Sequence, residues 1–263
     1  MTEPLLRIED LVVEFPDPHR PGARVRAVDG VSLMLNRGEI LGLVGESGSG
    51  KTTLAKTVLR LYRPHAGRIF LAGIEVTKLN ETQLRPVRRQ AQMVFQDPLS
   101  SFNPRHTIGR AMSTPMLLHR VCPRNAVRME VEHILSDVGL PADFESRYPH
   151  QLSGGQLQRA AIGRALSLSP SLVVADEAVS KLDVSVRAQI LNLLKRLHAE
   201  RGLSLLFITH DLHVARFLSH RIGVMRAGKL LEIGPTKEVF AHPTHEYTRM
   251  LLGTIGPLAD QAA

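Results

Sequence analysis

Short apolar runs alternate with segments of helical spacing along most of the chain. The apolar runs "EILGLVG", "AQMVFQ", "SLVVAD" and "LSLLFITH" have the length of strands, as is typical of strands buried on both faces of a parallel sheet. The segments "KTTLAKTVLRLY" and "VSVRAQILNLLKRLHAE" carry apolar residues at helical spacing. This alternation predicts an α/β fold whose mainly parallel sheet is flanked by helices.

Two parts of the chain depart from this alternation. Near the N-terminus, "LLRIEDLVVEF" and "VRAVDGVSLML" are predicted strands joined by a loop rich in Pro, Gly and Arg. From about Asp97 to Leu166 the pattern becomes helical, and helix starts are predicted at Pro115, Pro123 and Pro141. Because strands resume afterwards, this stretch is expected to be a helical lobe inserted into the core.

Composition narrows the class of protein. A chain of 263 residues that is 43% hydrophobic can bury a full core. It has no long uncharged apolar run, and its start, "MTEPLLRIED", does not resemble a signal peptide, so a cytosolic location is expected. The single cysteine, Cys122, excludes a disulfide framework. The net charge of +8 comes from scattered basic residues, which favours a role in solubility, and no nucleic-acid partner is expected.

The most specific motif is "GESGSGKTT", which lies between a predicted strand and a predicted helix. Glycines let backbone N–H groups approach a phosphate, and the helix that follows adds its positive end. Lys51 is expected to bridge the β- and γ-phosphates and the Thr52 hydroxyl to bind Mg²⁺. The motif therefore predicts a nucleoside triphosphate site rather than a glycine-rich turn with an incidental lysine. The predicted loop residues are Gly45, Glu46, Ser47, Gly48, Ser49, Gly50, Lys51, Thr52 and Thr53.

Polar residues that follow three apolar strands are candidates for the chemistry. Asp176 and Glu177 end "SLVVADE", where the aspartate is expected to hold Mg²⁺ through a water and the glutamate to activate the attacking water. Gln96 ends "QMVFQ" and can reach both Mg²⁺ and water, and His210 ends "LLFITH" and can bind the γ-phosphate. A structural role, such as a helix cap, is the alternative for His210.

A second anion-binding turn is indicated by "LSGGQLQR", Leu152 to Arg159. Ser-Gly-Gly at the head of a helix leaves backbone N–H groups accessible to a phosphate. One domain with two such turns raises the question of which phosphate the second turn serves.

Together these segments resemble the ATP-binding subunits of ABC transporters. "GESGSGKTT" is similar to the phosphate loop, "VFQDP" to the Q-loop, "LSGGQLQR" to the signature, "SKLD" to the D-loop and "ITHD" to the switch histidine. The resemblance implies a P-loop NTPase core with an antiparallel β subdomain and an inserted helical lobe. It implies one domain divided into residues 1–96 (β subdomain and phosphate loop), 97–166 (helical lobe), 167–240 (rest of the core) and 241–263 (tail).

The resemblance also assigns roles to residues. In this family two cassettes pack head to tail, so that the signature and D-loop of one chain serve the ATP bound by the other. The residues implied to act in trans are Leu152, Ser153, Gly154, Gly155, Gln156 and Asp183. Phe15 stands where the family has an aromatic residue on the adenine, although it could equally close a strand of the core. The implied catalytic residues are Glu177, His210 and Lys51, and the implied Mg²⁺ ligands are Thr52, Gln96 and Asp176.

Longer segments are similar to the ATP subunits of oligopeptide, dipeptide and nickel importers, among them "FQDPLSSFNPRHTIG" and "EIGPTKEVFAHPTHEYTRMLL". This implies a second ATPase subunit, identical or paralogous, two transmembrane permease subunits and an extracytoplasmic solute-binding protein. It also implies a peripheral position at the cytoplasmic face of the inner membrane. Ala178 and Lys181 depart from the usual proline and alanine of this group, and Lys181 is either a harmless surface residue or a modifier of dimer contacts.

Alternative functions remain at this point. A soluble ABC ATPase of translation or DNA repair would usually carry two cassettes or a coiled-coil insertion, and the chain shows neither. A binding module without hydrolysis would lack Glu177 or His210. The twelve histidines are dispersed, so no metal other than Mg²⁺ is predicted. The cargo is left open between peptides and nickel.

Overall fold

The computed structural model describes residues 3–17 and 20–253. His19 and residues 254–263 of the predicted tail lie outside the described residues. The described strands are β1 (Leu6–Pro16), β2 (Arg24–Leu35), β3 (Ile40–Val44), β4 (Ala66–Leu71), β5 (Ile74–Glu75), β6 (Ala91–Val94), β7 (Leu172–Asp176), β8 (Ser204–Thr209), β9 (Arg221–Arg226) and β10 (Lys229–Pro235).

The described α-helices all follow β3 along the chain. They are α1 (Lys51–Val58), α2 (Glu81–Gln90), α3 (Pro98–Ser101), α4 (Ile108–His119), α5 (Val127–Asp137), α6 (Gly154–Leu166), α7 (Val184–Arg201), α8 (Leu212–Leu218), α9 (Thr236–Ala241) and α10 (Glu246–Gly253). Short 3-10 helices occupy Arg124–Ala126, Ala142–Ser146 and Pro149–Gln151. Within the described ranges, no helix is both long enough and apolar enough to span a bilayer.

The strands form two sheets. The central sheet has the order β10-β9-β3-β8-β7-β6, and all its neighbouring pairs are parallel except β9 and β10. The second sheet is antiparallel and has the order β2-β1-β4-β5. The predicted α/β fold with a mainly parallel core sheet and an antiparallel β subdomain is confirmed.

Burial of the central strands explains why their sequences are almost continuously apolar. Every residue of β3, β7 and β8 is buried, because both faces of the sheet are covered. Along β8, Leu205 and Phe207 belong to the core cluster that includes helices α4 to α7, whereas Leu206 and Ile208 belong to the cluster that includes β1, β2 and α1. Strand β1 instead alternates between buried and partly exposed positions. The central sheet is therefore the layer that joins the two halves of the core.

Between β6 and β7 the chain forms only helices. One expected helix start in this region is wrong, because Pro115 lies inside α4. The helix begins instead after Thr107, whose side chain accepts a hydrogen bond from the Arg110 N–H at 3.2 Å. A proline inside a helix removes one backbone hydrogen bond, but burial of Met112 and Met116 on one face keeps the helix intact. The boundaries predicted for this lobe, 97–166, stay a prediction.

Parallel strand order decides where the functional residues meet. Strands β3, β6, β7 and β8 run in the same direction, so their carboxyl ends lie at one edge of the sheet. The phosphate loop follows β3, Gln96 follows β6, Glu177 follows β7 and His210 follows β8. Residues far apart in sequence thus come to a single edge, the usual ligand-binding position in open α/β sheets.

The central position of Phe207 gives a test of the fold. We expect Phe207→Ala to lower the free energy of unfolding by about 3–5 kcal/mol, because Phe207 is fully buried and its truncation leaves a cavity. Phe217→Ala is the matched control: its side chain is 46% exposed, and we expect a loss below about 1 kcal/mol. Urea denaturation measures both values, and equal losses would contradict this packing.

Candidate nucleotide-binding site

The phosphate loop connects the buried strand β3 to the helix α1. Helix α1 begins at Lys51 after Gly50, and no side chain caps its first turn. The first N–H groups of a helix have no partner within the helix. Here they are left to a ligand, and the helix dipole favours an anion.

Two glycines of the loop have no room for a side chain. A Cβ atom at Gly45 would lie 2.1 Å from the Met225 carbonyl oxygen, and one at Gly50 would lie 2.2 Å from the Ala27 carbonyl oxygen. The φ values, 151° at Gly45 and 101° at Gly50, are also in the region that favours glycine. Backbone carbonyls of β9 and β2 therefore lie so close to the loop that only glycine fits at these two positions. The other predicted loop residues, Glu46, Ser47, Gly48, Ser49 and Thr53, lie in the same turn and the first turn of α1.

Lys51 is buried inside the loop and is only 5% exposed. Its Nζ donates hydrogen bonds to the carbonyl oxygens of Gly45 and Glu46, both at 2.8 Å, and to the Ser49 hydroxyl at 3.0 Å. Burial lowers the pKa of Lys51, although nearby carboxylates act in the opposite direction. Its direct partners are neutral, so the ammonium group can pair with an anion in the loop.

Asp176 is the second buried charge of the site and is also 5% exposed. The Thr52 hydroxyl donates a hydrogen bond to Asp176 Oδ1 at 2.9 Å. Burial raises the pKa of Asp176, and the bond from Thr52 partly opposes this shift. A hydroxyl and a carboxylate oxygen at this distance, with the Gln96 amide at the same sheet edge, form the oxygen-rich set that Mg²⁺ prefers. These residues therefore fit the predicted cation.

Glu177 is held by hydrogen bonds from two neighbouring strand ends. Its carboxylate accepts a hydrogen bond from Gln96 Nε2 at 2.6 Å and lies 3.1 Å from His210 Nδ1. Its backbone has a φ of 48°, a left-handed conformation that is uncommon outside glycine, and its N–H donates to the Ile208 carbonyl at 3.0 Å. Strain of this kind is typical of functional sites. The structure thus brings together the three side chains that were predicted from separate strands.

The signature segment begins the helix α6. The Ser153 hydroxyl accepts from the Gln156 N–H at 3.3 Å, and the Gln156 side chain accepts from the Ser153 N–H at 3.0 Å, which is a capping box. A Cβ atom at Gly155 would lie 2.5 Å from a methyl carbon of Val186 on α7. Leu152 and Gly154 complete the segment. Among the described residues, no hydrogen bond or ion pair joins residues 152–156 to residues 45–53.

The D-loop leads into the helix α7. Asp183 caps this helix by accepting hydrogen bonds from the Val186 N–H at 2.9 Å and from the Ser185 hydroxyl at 2.8 Å. These hydrogen bonds lower the pKa of Asp183. Ala178 is buried, whereas Lys181 is exposed. Nothing in the structure explains the lysine at position 181.

Phe15 lies at the end of β1 and is partly buried. Its ring meets Tyr62 edge-on, with centroids 5.2 Å apart, and Lys56 Nζ lies 5.6 Å from the Tyr62 ring centre. A contact between Phe15 and adenine stays a prediction. Sequence reasoning did not identify Tyr62 as the neighbour of Phe15, because an aromatic residue after α1 gives no signal of its partner 47 positions earlier.

An ion pair that sequence reasoning missed links the D-loop to the switch histidine. Arg187 on α7 lies 3.1 Å from the carboxylate of Asp211, the residue after His210. The same guanidinium donates to the Leu182 carbonyl of the D-loop at 3.4 Å. Arg187 therefore joins the two loops, and we assign it a positioning role.

A phosphate loop and the Glu177 carboxylate at one edge of a parallel sheet, with an inserted helical lobe, define the class of P-loop ATPases. The family model described as ABC transporter matches residues 28–180. The chain belongs to the ABC transporter family, as one of its ATP-binding cassettes. Apart from the candidate Mg²⁺ site, the described residues contain no group of three or more His, Cys, Asp or Glu side chains that could hold a metal ion.

Curated relatives match nearly the whole chain. It is 46% identical over 258 residues to the putative oligopeptide transport ATP-binding protein YkfD of Bacillus subtilis, covering 98% of this chain and 78% of that protein. It is 45% identical over 258 residues to the oligopeptide transport ATP-binding protein AppF of the same species, covering 96% and 78%. It is 45% identical over 262 residues to the glutathione import ATP-binding protein GsiA of Pectobacterium atrosepticum. The match with GsiA covers 98% of this chain but only 42% of the length of GsiA.

Solved structures share the fold. The dimeric post-hydrolysis cassette MJ0796 bound to ADP and Pi has a TM-score of 0.79 and 28% identity, covering 88% of this chain and 98% of that one. The protein cbiO1 of Clostridium perfringens, part of the ABC transporter complex cbiONQ, has a TM-score of 0.80 and 25% identity. That comparison covers 92% of each chain.

The ion pair of Arg187 gives a test of the link between loops. We expect Arg187→Ala to slow ATP turnover by about 3- to 10-fold without changing ATP affinity, because a partly exposed pair contributes about 1 kcal/mol. Arg187→Lys should recover part of the rate, since it keeps the charge. Arg128→Ala, which removes a surface ion pair on α5, is the control. Steady-state kinetics separate the effects, and a change confined to KM would refute the positioning role.

Proposed function

We propose that this protein is the ATP-binding and ATP-hydrolysing subunit of an importer that takes up peptides. The observation that carries the hydrolytic part of the proposal is the contact of Glu177 with Gln96 and His210, together with the electrostatic interaction between Glu177 and the buried Lys51. The oligopeptide and glutathione relatives support peptide cargo, whereas no relative described above supports nickel. Because these relatives are transport proteins, a soluble ATPase of translation or DNA repair is the less favoured alternative.

ATP binding follows from the charges of the loop. The N–H groups of the loop and of the first turn of α1 bind phosphate oxygens, and Lys51 exchanges its carbonyl partners for the β- and γ-phosphates. Thr52, Gln96 and Asp176 would hold Mg²⁺, directly or through water. When bound, Mg²⁺ neutralises charge on the phosphate oxygens. Phe15 contacts the adenine.

Hydrolysis depends on Glu177 as a general base. Its carboxylate orients the attacking water and takes up its proton. Gln96 and His210 hold that carboxylate from either side, at the distances given above. Because Gln96 and His210 belong to different strand ends, a small movement of either loop changes the position of the base. This arrangement couples the rate of hydrolysis to the conformation of the cassette.

The second anion-binding turn, in the segment "LSGGQLQR", binds the nucleotide that a second chain holds. We assign Ser153, Gly154 and Gly155 to the γ-phosphate held by the partner cassette, with Leu152, Gln156 and Asp183 completing that contact. ATP then holds two cassettes together through its charge, and hydrolysis removes this attraction. Two permease subunits and an extracytoplasmic solute-binding protein complete the complex. The cassette lies peripherally at the cytoplasmic face of the inner membrane, with its helical lobe toward the permeases.

Cell fractionation distinguishes the importer from the soluble alternative. After a high-salt wash, which screens electrostatic attraction to anionic lipids, we expect the protein to stay in the membrane fraction only when its permease subunits are produced with it. A protein that stays soluble when the permeases are present would support the alternative instead.

Substitution of the base tests the chemistry. We expect Glu177→Gln to keep ATP affinity but to slow hydrolysis by about 10²–10⁴-fold, the usual contribution of a positioned base. Lys51→Ala should instead weaken ATP binding by about 10- to 100-fold, since it removes a charge-assisted contact to phosphate. Glu246→Gln, at an exposed residue of α10, is the control. Nucleotide binding and phosphate release are measured separately, and wild-type turnover by Glu177→Gln would exclude this residue as the base.

Complementation between two inactive chains tests the shared site. Lys51→Ala inactivates the phosphate loop and Ser153→Arg inactivates the signature. Because each proposed site combines the phosphate loop of one chain with the signature of the other, both sites of either homodimer are defective. A mixed dimer combines both lesions in one site and leaves the other intact. On a Glu177→Gln background, we expect the mixture to trap about one ATP per mixed dimer.

The control is each variant alone, which should trap no nucleotide. If the natural partner is a paralogue, the two lesions are placed on the two different subunits. Confirmed mixed dimers that trap no nucleotide would contradict the shared site.

A further inference from the structure

A second groove, rich in arginine, lies away from the nucleotide site. It has a volume of about 1020 Å³ and lies between α2, the end of α4 and the segments before β3, β6 and β7. Its basic lining residues come from four separate segments: Arg37, Arg85, Arg89, His119, Arg120 and Arg124. Folding thus gathers basic residues that are scattered in the sequence.

The charge of this groove is not compensated. None of the residues that line it is Asp or Glu. Arg85 donates to the Leu118 carbonyl at 3.3 Å and Arg89 to the Leu168 carbonyl at 3.5 Å, and both acceptors are neutral. In the described part of the chain, Arg37, Arg120 and Arg124 have neither an ion-pair partner nor a side-chain hydrogen bond. Like charges collected in a cleft create a strong positive potential that attracts anions.

The titration of His119 is consistent with this potential. Burial lowers the pKa of His119 first, and the positive charges of Arg85 and Arg89 lower it further. The imidazole is therefore mainly neutral near pH 7 and can donate one N–H to a ligand oxygen.

The groove is separate from the nucleotide site. Arg37 precedes β3, Gln90 ends the helix before β6 and Ser171 precedes β7. These positions are at the amino ends of the parallel strands, whereas the phosphate loop is at their carboxyl ends. A ligand in the groove would therefore not compete with ATP for Lys51.

We propose that this groove binds a phosphate-bearing anion. Arginine guanidinium groups bind phosphate oxygens in pairs of hydrogen bonds. Apolar side chains on the same rim favour an anionic phospholipid as the source, since Leu117 is 44% and Leu118 is 58% exposed. A headgroup in the groove and acyl chains on these leucines would match both kinds of surface. The inference is independent of the importer function proposed above.

The test uses the full chain and a triple variant, Arg37→Ala, Arg120→Gly and Arg124→Ala. Within the described residues, these three side chains make no hydrogen bond or ion pair that the substitutions would break, and Arg120 has a φ of 51° that suits glycine. The matched control, Arg63→Ala, Lys78→Ala and Lys237→Ala, removes the same charge from exposed positions outside the groove. Unchanged ATP affinity shows that both variants fold.

Cosedimentation with vesicles is the first measurement. We expect the wild type to bind vesicles of phosphatidylglycerol and not vesicles of phosphatidylcholine. Each arginine near an anionic membrane surface contributes about fivefold in affinity. The groove variant, which lacks three arginines, should therefore bind about 100-fold more weakly. The control should bind less than about threefold more weakly. This result assigns the groove to lipid headgroups.

Calorimetry with inorganic pyrophosphate, on a Lys51→Ala background that disables the nucleotide loop, is the second measurement. Pyrophosphate binding that disappears in the groove variant would support a soluble phosphate as the source. The proposal is overturned if neither probe binds the unmodified groove, or if the groove variant and the control lose binding equally.

Discussion

Two side chains of opposite charge, Lys51 and Asp176, are buried at the carboxyl edge of the central sheet, and the rest of the site depends on them. Each is only 5% exposed. Lys51 is hydrogen-bonded to backbone carbonyls and a hydroxyl, and Asp176 to the Thr52 hydroxyl. Buried charges with neutral partners are costly. The proposed triphosphate and Mg²⁺ would supply a charged partner to Lys51 and Asp176 respectively, so the burial of these two groups prepares the site for its ligand.

Much of this arrangement was predictable because it follows from local rules. Apolar runs such as "SLVVAD" indicated strands buried on both faces, and the parallel order of such strands places Gln96, Glu177 and His210 at one edge. The phosphate-loop motif identified Gly45 and Gly50, and the close approach of the Met225 and Ala27 carbonyls gives the structural reason for these two glycines. The sequence thus predicted the core fold, and it predicted the residues that the structure brings together.

What the sequence did not predict depends on contacts between distant segments. Pro115 was expected to start a helix, but the Thr107 cap and the buried Met112 and Met116 decide where α4 begins. The pair of Arg187 with Asp211 spans 24 positions, and no local pattern connects them. The basic groove is similar: its arginines come from separate segments, and only the fold reveals that they share one cleft.

Phosphate binding by the backbone N–H groups of two loops is the central proposal, and amide hydrogen exchange of the Glu177→Gln protein tests it most directly. With Mg-ATP, we predict slower exchange in peptides that cover residues 45–52 and 153–156, because the first loop binds the nucleotide and the second contacts it from the partner chain. With Mg-ADP, only residues 45–52 should be protected. Unchanged exchange of residues 45–52 in Mg-ATP would contradict the account.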